Sequence, residues 1–121
     1  MPPKILIVEP DEILRGLFVN KLIQEGYEVL EARDEEEGLW KLHIQTPDLL
    51  IVDLDLPKLG GRGFLEMIHS DPLLRGIPVI ALVNTPAEDS YDLGVNYVFV
   101  KTEFNPQEVI DKVQELIGSN Y

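Results

Sequence analysis

Four short stretches of the chain are apolar at every position: Ile5–Val8, Leu49–Val52, Val79–Val83 and Val98–Val100. A strand with one face in water alternates polar and apolar residues, so a run without alternation needs cover on both faces. Val and Ile are prominent in these runs, which suits strands of a parallel sheet layered between helices. A fifth candidate strand, Tyr27–Ala32, sets Glu28 and Glu31 among apolar residues, as a more exposed sheet edge does.

The intervals between these runs carry helical spacing. Ile13, Leu14, Leu17, Phe18 and Leu22 recur on one face, and Gly26 follows as a stop. Leu39, Trp40 and Leu42 lie on a second helix, opened by Asp34 and Glu37 as a capping-box-like pair, with Trp40 read as packing. The Glu35-Glu36-Glu37 run suits that helix's positive pole and needs no metal. Phe64, Leu65 and Ile68 form a third face, after a Leu59-Gly60-Gly61 loop that needs unusual backbone angles. Thr85-Pro86-Ala87-Glu88 opens a much shorter helix. Asn105, Pro106 and Glu108 open the last, whose Val109, Ile110, Val113, Leu116 and Ile117 make the clearest amphipathic stripe. The alternation βαβαβαβαβα predicts one α/β domain over residues 1–121, an open parallel sheet with helices on both faces.

Composition enters as a set of exclusions. The chain has no cysteine, which removes disulfides, thiolate metal sites and cysteine nucleophiles. Ten basic residues against 22 acidic ones give a formal charge of −12. Nucleic acid phosphates and anionic membrane surfaces repel such a chain, so neither is expected as a direct partner. No apolar run is long enough to span a bilayer, and MPPKILIVEPDE is acidic where a secretory leader would be cleaved. The expected location is the cytoplasm.

In parallel sheets of this kind the chemistry gathers at the carboxyl ends of the strands. There the first run ends in Glu9-Pro10-Asp11-Glu12, the third strand in Asp53-Leu54-Asp55, the fourth in Val83-Asn84-Thr85 and the fifth in Lys101-Thr102. Carboxylates from two strands would meet an ammonium from a third. Crowded carboxylates raise one another's pKa unless a cation joins them, and Lys101 or a hard ion such as Mg²⁺ fits that need. Given a phosphodonor, a carboxylate so placed can act as a nucleophile and form an acyl phosphate.

ILIVEPDEILR, GYEVLEA, PDLLIVDLDLP, IPVIALV and the lysine of VFVK together resemble, in order and register, the receiver domains of two-component response regulators. The resemblance runs from about Lys4 to Gly118. It implies a flavodoxin-like, doubly wound sheet of five parallel strands in the order 2-1-3-4-5. It implies Asp53 as phosphoacceptor, Lys101 as the phosphoryl-binding lysine and Glu9 as the first acidic metal-organising residue. Asp55 falls where the family offers a backbone carbonyl to Mg²⁺, and Asn84 and Asp55 where side chains tune phosphoryl lifetime. The implied partners are a histidine kinase or phosphotransfer protein. The face of fourth helix, fifth strand and last helix would meet a second copy or an output protein.

The chain departs from the family at several positions. Pro10 stands where a second acidic residue ligates the metal, so Mg²⁺ binding is expected to be weak, with Asp11 or Asp55 as substitutes. Asp11 also reads as the N-cap of the first helix, the more favoured role. Val83 replaces the switch Thr or Ser, and Val98 the switching aromatic, flanked by Tyr97 and Phe99 on the opposite face of the sheet. The stretch from Val83 to Lys101 is shorter than the family norm by about one helical turn. Thr102 replaces a Pro whose preceding bond is usually cis, and a trans bond is expected here because cis costs about 2.5–4 kcal/mol before other residues.

Two functions follow. Asp53, Lys101 and Glu9 favour a phosphorylation switch, not an enzyme acting on an outside substrate. Pro10, Val83, Val98 and the shortened helix favour a degenerate receiver that binds a partner regardless of phosphate. His43 and His69 have no companion ligand at metal spacing and are read as solvated.

Overall fold

The computed structural model describes residues 2–85 and 94–118. In chain order these form β1 (Lys4–Val8), α1 (Glu12–Gln24), β2 (Glu28–Ala32), α2 (Glu35–Ile44), β3 (Leu49–Asp53), α3 (Gly60–Ser70), β4 (Val79–Val83), β5 (Tyr97–Val100) and α4 (Pro106–Ile117). The short helix expected after Thr85, and with it the middle of the stretch read as shortened, lies outside the described residues. The strands form one parallel sheet in the order β2-β1-β3-β4-β5, as expected.

Strand residues alternate between two apolar layers. Ile5, Ile7, Leu49, Ile51, Ile80, Leu82 and Phe99 pack with Phe18 and Leu22 of α1 and with Val109, Ile110 and Val113 of α4. Leu6, Val8, Leu50, Val52 and Val79 pack with Leu42 of α2 and with Phe64, Leu65 and Ile68 of α3. β1, β3 and β4 are covered on both faces, which is why they carry no polar alternation. Gly38 brings α2 close to the sheet: a Cβ there would lie 3.0 Å from Val8 and 3.3 Å from Phe64. Phe64 is fully buried, and truncating such a ring typically costs about 3–5 kcal/mol.

Capping explains where the helices begin. Asp11 accepts the amides of Ile13 and Leu14, Asp34 that of Glu37, and Asn105 that of Glu108, with Pro106 in the first turn of α4. α3 is the exception, because Leu59 precedes it and supplies no side-chain cap. Gly60 has a φ of +77°, the backbone angle expected of that loop.

Several expectations are corrected. Ile13 and Leu17 belong to the exposed side of α1, and the buried stripe is carried by Phe18 and Leu22. Trp40 does not pack into the core; it is 64% exposed. His69 is half-buried, with Gly94 so close that an added Cβ would lie 2.8 Å from its ring. His43 is exposed but engaged: Nδ1 lies 2.7 Å from the Leu39 carbonyl and Nε2 3.3 Å from Asp71.

Candidate functional site

Glu9, Asp53 and Lys101 share one geometric origin. Each stands two residues beyond a core residue of the α1/α4 layer, namely Ile7, Ile51 and Phe99. Because alternate strand residues face the same way, the three project on one side of the sheet at its carboxyl edge. There Lys101 Nζ pairs with Asp53 Oδ2. Asp53 Oδ1 accepts the Asp55 amide at 2.8 Å, so both carboxylate oxygens are held. Asp53 is buried and Lys101 half-buried, and the Lys101 amide donates to the Val83 carbonyl at 2.8 Å. The Lys101–Thr102 peptide bond is trans, as expected.

Glu9 is 1% exposed. Its Oε2 accepts the Asp11 amide at 2.9 Å, while Oε1 is buried without a hydrogen-bond partner. Burial pushes the Glu9 carboxyl up to about 8; the Asp11 amide opposes that shift, and the adjacent Asp53 carboxyl reinforces it. Arg15, itself buried, donates to the Glu9 carbonyl at 2.8 Å and pairs with Glu31 of β2 at 3.0 Å. The guanidinium thus fixes the loop after β1 against the sheet edge.

The other expected positions fall around this centre. Asp55 and Asn84 are exposed beside it. Asp11 is exposed, and its Oδ1 is occupied by the amides of Ile13 and Leu14. Val83 is buried at the end of β4, and Val98 is half-buried. Phe99 contacts Tyr97 and Phe104, and Phe104 stacks on Phe18, so an aromatic row runs from β5 to α1.

A buried proton-binding glutamate with a free oxygen beside a second carboxylate suits a cation. Among the described residues no three acidic or imidazole side chains gather as a ready metal cage. The donors present are two carboxylates with backbone carbonyls. That set suits Mg²⁺, which keeps several of its waters.

Sequence reasoning missed one residue. Glu35, read only as a charge suited to a helix N-terminus, is fully buried. Its Oε2 accepts the amides of Lys58 at 2.8 Å, Gly60 at 3.0 Å and Leu59 between them. The available signal was the loop's own sequence, since Leu59 before a glycine pair leaves α3 without a local cap.

The family model of the response regulator receiver domain matches residues 5–114. The chain is 31% identical over 120 residues to the alkaline phosphatase synthesis transcriptional regulatory protein PhoP of Bacillus subtilis, covering 97% of this chain and 49% of PhoP. It thus spans about half the length of that relative. It is 30% identical over 123 residues to the chemotaxis protein CheY1 of Helicobacter pylori, covering 97% of this chain and 98% of CheY1. The solved receiver domain of the sensor histidine kinase PA1611 from Pseudomonas aeruginosa superposes with a TM-score of 0.87 at 25% identity, covering 98% of this chain and all of that one. That structure holds a magnesium ion coordinated in its active-site cleft.

Proposed function

The chain belongs to the response regulator receiver domain family, and from that premise we propose that Asp53 accepts a phosphoryl group and relays it as a change of conformation. Receiver domains are signalling switches. The proposed donor is the phosphohistidine of a histidine kinase or phosphotransfer protein, and the proposed output surface is β5 with α4 and the segment before β5. The observation that carries the reading is the Lys101 ammonium on Asp53, with the Asp55 amide on the other oxygen and Glu9 alongside. In transfer an Asp53 oxygen bonds to phosphorus while the donor's P–N bond breaks, its electron pair leaving with the imidazole. Lys101 then offsets charge on the phosphoryl oxygens.

Receiver domains generally bind Mg²⁺. Here Glu9, Asp53 and the Asp55 backbone carbonyl would hold it, and the unpartnered Glu9 Oε1 supports that assignment. When bound, the ion supplies positive charge against the phosphoryl oxygens. Pro10 offers no side-chain oxygen and Asp11 is occupied as a cap, so binding is weak in this proposal.

Incubation with acetyl phosphate and Mg²⁺ tests the reading by intact mass. Wild type should gain one phosphoryl group and Asp53→Ala none; equal labelling of the two sinks the assignment. One observation favours the second reading, a constitutive interaction domain: Val83 buries a methyl at the β4 end where a hydroxyl would meet the phosphoryl group. Amide NMR with beryllofluoride, an acyl-phosphate mimic, separates the two. Shifts at Asp53, Asn84 and Lys101 that reach Val98–Val100 and α4 mark a switch. Shifts confined to the pocket mark acceptance without transmission, and no shifts mark the interaction domain.

A further inference from the structure

The loop that follows the phosphoacceptor is closed at both ends by contacts that do not involve the reacting groups. At its start the Leu54 amide donates to the Leu82 carbonyl at 2.9 Å, and the Gly61 amide returns to the Leu54 carbonyl at 3.1 Å. Gly61 sits so near that a Cβ there would lie 2.5 Å from Leu54 Cα. At its far end the three successive amides of Lys58, Leu59 and Gly60 converge on Glu35 Oε2. Glu35 comes from a different element, the first turn of α2, and caps α3 in place of the side-chain cap that Leu59 lacks. Its second oxygen is buried without a protein partner, so every hydrogen bond the carboxylate makes is to this loop. Lys58 adds a second tie, its Nζ lying 2.9 Å from Glu36 and 3.4 Å from Asp34.

Between those closures lies Asp55, whose amide fixes Asp53 Oδ1. Resting on the phosphoacceptor reading of Asp53, we propose that Glu35 is a positioning residue for phosphoryl transfer: it acts through the backbone of Lys58–Gly60 to hold the Asp55 amide against the phosphoacceptor. Glu35 touches no reacting atom. Its contribution is geometric, because a small displacement of a reacting group lowers rate steeply. A side chain of this length suits the task because one of its oxygens reaches three successive amides at once.

The test compares wild type with E35D, E35Q and E35A in two measurements on the folded protein: the rate of Asp53 phosphorylation by acetyl phosphate, and hydrogen exchange at the Asp55 and Gly61 amides. E35D keeps the charge but is one methylene too short to reach all three amides. It should phosphorylate slower by about tenfold and exchange faster at Asp55. E35Q keeps an oxygen in place and should stay near the wild-type rate. E35A should be slowest; if it does not fold, the E35D and E35Q pair decides the matter alone. A purely structural cap lowers the melting temperature and leaves rate and Asp55 exchange at wild-type values in E35D, which overturns the proposal. Normal E35D with impaired E35Q also overturns it, by showing that charge and not reach matters. If wild type itself takes no phosphoryl group, the reading of Asp53 falls and the proposal with it; a labelled wild type with an equally fast E35D brings down the positioning role alone.

Discussion

Glu9 and Glu35 are the glutamates buried among the described residues, and each leaves its Oε1 without a protein partner. Their other oxygens differ. Glu35 Oε2 receives three backbone amides from the loop before α3. Glu9 Oε2 receives one, from Asp11, and the Glu9 carboxyl lies beside that of Asp53. Burial of a carboxylate therefore does not by itself mark a reactive site. What separates the two is whether the backbone has already supplied the donors. Glu35 is locked into the fold, while Glu9 carries a deficit that a proton or a cation must fill.

The comparison breaks most visibly in stability. Glu35→Ala strips three amides of their acceptor and should cost about 3 kcal/mol. Glu9→Gln removes a buried charge beside another carboxylate, and metal-free it should be more stable than wild type at pH 8. Urea unfolding of both variants at pH 8 checks this. Similar losses in the two would erase the distinction between a locked and a deficient glutamate.

A second effect tests the deficit directly. Glu9 holds its proton more tightly in the folded chain, with a pKa of about 8 against an ordinary 4.5. The stability it contributes is complete below about 4.5 and is lost as pH rises through about 8. Other carboxylates titrate with the opposite sign, so the informative quantity is wild type minus Glu9→Gln across that window. That difference should fall by several kcal/mol without metal and flatten with saturating Mg²⁺. A flat difference without metal would show that Glu9 is ionised at no cost and needs no cation.

The same contrast explains what the sequence made legible. Unbroken Val and Ile announced β1, β3 and β4, which are covered on both faces, and also β5, which is an edge strand with only Phe99 buried. The strand ends with Glu9, Asp53 and Lys101 were therefore legible on one edge, although β5 lacks the full cover expected of it. Local caps were equally readable, because Asp11, Asp34 and Asn105 bond amides only two or three residues away. Glu35 was not, because its partners lie 23 to 25 residues on and acidic residues at a helix start have an ordinary local explanation. Trp40 failed for a related reason. Helical spacing marks a face without saying whether anything covers it, and here the ring stays largely in water.

Pro10 offers the next test, on the cation side of the comparison. Pro10→Asp adds a carboxylate beside Glu9, and Mg²⁺ affinity should rise on the order of tenfold, since ligand charge count tunes such sites. Calorimetric titration measures it. Equal affinity in wild type and variant means that Glu9, Asp53 and backbone oxygens already complete the site.

Val83→Thr is the smallest change and bears on what a filled site can transmit. Thr has nearly the shape of Val, but its hydroxyl at a buried strand end should cost about 1 kcal/mol of stability. In return the phosphoryl group gains a donor on β4, and a switch works only to the extent that its ligand interacts differently with two states. The Val83 carbonyl already receives the Lys101 amide, so movement at that strand end is felt at the lysine. Beyond the lysine, Phe104 is held between Phe99 and Phe18, tying the following loop to β5 and α1. If beryllofluoride shifts in Val83→Thr extend into Val98–Val100, the missing hydroxyl was the limit on transmission. If they stay in the pocket, the aromatic row holds β5 in one state, and adding a donor at the strand end cannot release it.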